Sequence, residues 1–250
     1  MTQKTKLVGL GAFFLFIICF IIELVSSFIN IDAVKDAGAY QTDFVILFVF
    51  GIIVSLALIA NSVFGVVKLL NQGDRDAAFR RASDGIGGFG VYLAFTEIYT
   101  IILMNRIAND YGVTYNVPAT AIIIMILTII AAGLAAVGLI KKIKLSPAIR
   151  CLLLAIAALI LFVVAIIAIT QDNQKALVVV EYVFLMLSLV AFIVFAYFCY
   201  DEQKDNVKPS QNKSEEDYNF EENDSQSEDW FKDDNSNQSN DWFKDNNSNK

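Results

Sequence analysis

Residues 119–140 read ATAIIIMILTIIAAGLAAVGLI, an unbroken run without a single charged side chain. A helix rises about 1.5 Å per residue, and a bilayer core is about 30 Å thick. The run is therefore long enough to cross. In lipid every backbone N–H and C=O must be satisfied within the chain, so it is predicted to be a helix. The segment KKIKLSPAIR, residues 141–150, then brings four basic residues before a second apolar run begins. Working outward from this pair, apolar blocks of spanning length fall at 7–29, 44–70, 86–104, 119–140, 148–170 and 177–200. Alternating ten-residue patterns of a β-barrel are absent. The fold class expected is an all-α integral membrane protein, a six-helix transmembrane bundle over 1–200. A disordered acidic cytoplasmic C-terminal tail is expected over 201–250.

Composition agrees with that division. Mean hydropathy is +0.55 and 56% of residues are apolar, too oily for an ordinary soluble domain. The net charge of −7 is unevenly placed: residues 1–200 carry +2, and residues 201–250 carry −9. An acidic tail argues against a nucleic-acid partner.

The connecting segments alternate in basic content. Lys4 and Lys6 precede the first block; Lys68, Arg75, Arg80 and Arg81 lie between the second and third; Lys141, Lys142, Lys144 and Arg150 lie between the fourth and fifth. The other loops hold only Lys35, Arg106 and Lys175. The positive-inside rule then places both termini in the cytoplasm, in a cell or plasma membrane, with an even number of spans. A cleavable signal peptide ending near Val25-Ser26-Ser27 is the competing reading of the first block, but Glu23 sits badly beside a cleavage site. Tyr40, Tyr111, Tyr115 and Tyr182 fall near expected outer ends, and Tyr197 and Tyr200 near an inner end.

There are no histidines. Histidine acid–base chemistry, Ser-His or Cys-His nucleophiles and His-ligated metals are excluded. Cys19, Cys151 and Cys199 have no metal-ligand spacing and are expected as buried thiols, with acylation of Cys151 or Cys199 as the sharper alternative. Gly85-Ile86-Gly87-Gly88-Phe89-Gly90 matches a dinucleotide fingerprint formally, but it opens a membrane helix rather than following a strand. Close helix packing explains it better. No catalytic, cofactor or metal site is expected. Small residues in the fourth block, Ala131, Ala132, Gly133, Ala135, Ala136 and Gly138, allow close helix approach, within the bundle or in a homo-oligomer.

Three acids lie within the blocks: Glu23, Glu97 and Glu181. Ionisable groups in a span are costly and often functional. All three fall in the outer half, at depths that differ, so contact among them is not required by the pattern. Tyr92, Thr96, Tyr99 and Thr100 share a side of the third helix with Glu97 at its edge, a candidate polar path or cation site. Arg106 and Lys175 are its candidate partners. The plainer alternative is that Glu23 and Glu181 reach the interface while Glu97 is protonated or hydrogen-bonded.

The tail holds both tryptophans, in a tandem repeat. Asp229-Trp230-Phe231-Lys232-Asp233 recurs as Asp241-Trp242-Phe243-Lys244-Asp245. Its surroundings are Asn, Ser, Asp and Glu, which cannot bury a core. Aromatic pairs flanked by aspartates fit an apolar pocket with a basic rim on a protein partner. Replication slippage would give the same repeat without a function. Ser214 and Ser227 precede acidic runs as in acidic-directed kinase sites, and Asn212 and Asn246 fit a glycosylation pattern that a cytoplasmic tail leaves unused. The leading expectation is a non-enzymatic membrane scaffold that recruits a cytoplasmic partner through this tail. The alternative is a small transporter or channel, or a subunit of one, using the intramembrane carboxylates.

Overall fold

The computed structural model describes residues 1–29, 31, 38–71, 73–140, 145–170 and 176–207. The tail repeat, with Asp229, Trp230, Phe231, Asp241, Trp242 and Phe243, lies outside the described residues, as do Lys35, Lys141, Lys142, Lys144 and Lys175. The described chain is all-helical. Its six helices are each long and apolar enough to cross a membrane: α1 (Gln3–Ile29), α2 (Gln41–Asn71), α3 (Arg75–Asp110), α4 (Ala119–Leu139), α5 (Pro147–Ile169) and α6 (Ala176–Val207). A short 3₁₀ turn, Gly38–Tyr40, leads into α2. The protein is an integral membrane protein by this architecture.

The helices form a closed ring in which each packs against its neighbours in sequence, and α6 returns to α1. Side chains at i, i+3 and i+7 on α1 fill its centre: Phe13, Phe16 and Phe20 are fully buried. They meet Phe192 of α6 and Phe89 of α3 edge-on, with centroids 5.2 Å apart for Phe13–Phe192 and 5.5 Å for Phe20–Phe89. Each such pair contributes roughly 0.5–1.5 kcal/mol beyond area burial. Lipid tails are as apolar as leucine, so close packing and interhelical hydrogen bonds hold the bundle. The buried Ser188 hydroxyl donates to the Ala12 carbonyl at 3.0 Å, tying α6 to α1. Large apolar side chains such as Ile53, Ile102 and Leu152 point outward, where acyl chains would cover them.

The third span begins earlier than its hydropathy indicates. The charged stretch before Ile86 is helix from Arg75 onward, because Asp74 caps it by accepting from the Ala77 amide at 2.9 Å. Ala78 and Ala82 then bury completely. Gly73 supplies the left-handed turn before the cap and Gly112 the one that ends α3. The glycine-rich run is a packing surface: a Cβ on Gly90 would lie 3.1 Å from the Thr128 carbonyl, and one on Gly87 3.3 Å from Ala135. Ala132 and Ala135 of α4 are therefore in use against α3 within the bundle.

Candidate functional site

Helices α1, α3 and α5 run toward one end of the ring, and α2, α4 and α6 return from it. Call the end where α1 and α3 finish distal. Glu23 stands six residues before the end of α1, and Glu181 five residues after the start of α6. Both are thus about 8 Å from the distal ends of their helices. Because α1 and α6 are antiparallel neighbours, the two carboxyls come to one level and line the same cavity. The residue pattern does not require the acids to meet; the packing of α1 against α6 brings these two together.

Tyr92 of α3 joins them, donating its hydroxyl to Glu23 Oε1 at 2.6 Å. These residues line a cavity of about 260 Å³ that also receives Ser26, Thr96, Glu97 and Tyr182. All three intramembrane acids therefore face one space, with Glu97 on the α3 wall. Thr96 donates to the Tyr92 carbonyl at 2.9 Å, which fixes its hydroxyl locally. Phe89 lines the same cavity, and its contacts with Phe16 and Phe20 make an aromatic floor toward the proximal end.

Tyr99 does not join the site. It follows Glu97 by two residues, about 200° around the helix, and its hydroxyl donates to Asp43 Oδ1 at 3.0 Å. Arg106 is likewise taken by Asp43, at 3.2 Å, and so is not the partner of Glu97. Lys175 lies outside the described residues. The sequence groups Tyr92 with Glu97 along the helix; its role as the partner of Glu23 is not legible there, because it depends on α1 facing α3 across the bundle. Ser26 and Tyr182 were missed as wall residues, although each lies within three residues of an intramembrane acid. Among the described residues, no group of three His, Cys, Asp or Glu side chains is placed to cage a metal ion. The three cysteines are buried and free.

The site thus offers two carboxyl groups on one cavity, one of them held by a phenol, a third carboxyl nearby, and an aromatic floor. The chain matches no protein-family model, and comparison with curated proteins and with solved structures finds no similar one.

Proposed function

We propose that this is a small membrane transporter, or a subunit of one, that exchanges protons for a small organic cation at Glu23 and Glu181. The observation that carries the reading is the placement of Glu23, Glu181 and Glu97 around one cavity, with Tyr92 donating to Glu23. In this reading two carboxyl groups facing one cavity hold a proton between them when it is empty. An ammonium-type cation entering the cavity replaces that proton as the partner of the carboxylates, which couples the two movements. At about 260 Å³ the cavity exceeds the roughly 150 Å³ that holds benzene, but falls below the usual range for drug-sized ligands. A solute of a few heavy atoms fits. The aromatic floor supports access from one side at a time, as alternating access requires. By the distribution of Lys and Arg, both termini face the cytoplasm of a cell membrane.

The test is proton flux in liposomes loaded with a pH-sensitive dye, with the full chain reconstituted and tetramethylammonium as the imposed gradient. Wild type should move protons against the gradient. Glu23→Gln and Glu181→Gln, which keep shape and remove charge, should abolish the flux while still inserting. Unaltered flux in the double variant would end this reading.

The Trp-Phe repeat favours a second role, a scaffold that recruits a cytoplasmic protein partner through Trp230, Phe231, Trp242 and Phe243, with Asp229 and Asp241 at the rim. Both tryptophans of the chain are in the repeat, so partner binding should shift intrinsic tryptophan fluorescence directly. Pull-downs with the tail and with its Trp230→Ala/Trp242→Ala variant should differ. Recovery of the same proteins by both tails would remove the scaffold role.

A further inference from the structure

The proximal end carries a second site of opposite charge. Arg75 and Arg80 of α3 and Arg150 of α5 line one cavity of about 170 Å³, closed on its inner side by Phe79, Cys151 and Cys199. Arg75 is paired: its Nε lies 3.3 Å from Asp76 Oδ1 and its guanidinium 3.7 Å from Glu202. Arg80 also borders a neighbouring cavity with Asp84, and the lining of the first holds three arginines to one exposed aspartate, Asp76. Arg150 Nε is buried and has no hydrogen-bond acceptor among the described residues. A buried guanidinium donor left without an acceptor is costly, so an anion there would be stabilised.

The first turns of α3 and α5, at Arg75 and Pro147, also border the cavity. Their positive ends add to the arginine charge, and the carbonyl end of α4 at Leu139 is the opposing dipole. Beside this cavity runs an apolar groove of about 470 Å³ between α5 and α6, walled by Leu152, Ile193, Tyr197 and Tyr200. Cys151 borders both spaces, so the polar pocket and the apolar groove are neighbours across this side chain.

We propose that Arg80 and Arg150, with Arg75, bind the phosphate of an anionic phospholipid headgroup, and that one acyl chain of that lipid lies in the α5–α6 groove. The chemistry is that of a phosphate oxyanion held by guanidinium forks. The groove selects the lipid as its source, because a free phosphate has nothing to place there. The position fits a headgroup at the membrane boundary, where basic pockets between helices recruit such lipids. This site is about a bundle length from the carboxylate cavity and stands whether or not that cavity transports.

The test is native mass spectrometry of the full chain in neutral detergent, with phosphatidylglycerol, phosphatidylcholine and inorganic phosphate as separate probes. Wild type should retain phosphatidylglycerol in preference to phosphatidylcholine. Arg80→Gln/Arg150→Gln should weaken phosphatidylglycerol binding roughly 30-fold, taking about 1 kcal/mol for each arginine. Arg80→Gln alone should weaken it about fivefold; Arg80 is exposed, so this variant keeps the fold intact. Arg106→Gln, at the distal end, should leave it unchanged. Undiminished phosphatidylglycerol preference in the two proximal variants overturns the proposal. Full displacement of the lipid by inorganic phosphate at equal concentration overturns the lipid assignment.

Discussion

Glycine 65 shows how tightly single residues set this bundle. A Cβ built there would fall 2.5 Å from the ring of Phe13. That ring cannot simply retreat, because it is fully buried and packs edge-on against Phe192. Gly65→Ala should therefore destabilise the protein by about 1–3 kcal/mol. Gly133→Ala is the control, since nothing lies within 4 Å of its Cβ. Thermal unfolding of the two variants in the same detergent checks the difference; equal midpoints would show that Phe13 has room to move. The sequence marks Gly65 as a small residue in a span. It does not name Phe13, 52 positions earlier, as the side chain that needs the space. The same holds for Glu23 and Tyr92. Each is conspicuous alone as a polar group in an apolar block, and the 2.6 Å contact between them is a product of packing.

At the scale of elements, the apolar blocks located every helix, and the differences lie at ends. Hydropathy started the third span at Ile86, but helix α3 begins at Arg75. Hydropathy reports where lipid can cover a helix; capping and alanine content decide where the helix starts. Asp74 and the buried Ala78 and Ala82 carry that second signal, and it is readable in the sequence once capping is weighed with hydropathy. The pairing of α1 with α6 is a different matter. Glu23 and Glu181 are 158 residues apart, and their level match depends on both helices ending at the distal face. Counting residues from each helix end gives nearly equal depths, yet only the ring closure puts them on facing sides. Tyr99 shows the converse: close to Glu97 in sequence, it turns to Asp43 on α2.

For the whole molecule, an even number of spans requires both ends of the bundle chain to leave on one side. The Thr2 amide donates to Glu202 Oε1 at 2.6 Å, so the start of α1 and the end of α6 share the proximal face. Thr2→Cys and Lys204→Cys should react with a membrane-impermeant maleimide from the same side, and Val113→Cys, in the distal turn, from the other. Native thiols should stay silent because all three are buried. Labelling of Thr2→Cys and Lys204→Cys from opposite sides would refute the six-span bundle. The sequence by itself determined the class, the number of spans and which residues are too polar for their surroundings. Those follow from solvent partition, which acts on each segment independently. Only the tertiary structure decided which polar groups meet. The meeting of Glu23, Tyr92 and Glu181 around one cavity, and of Arg80 and Arg150 around another, depends on helix rotation and ring closure, which are set by packing among distant segments.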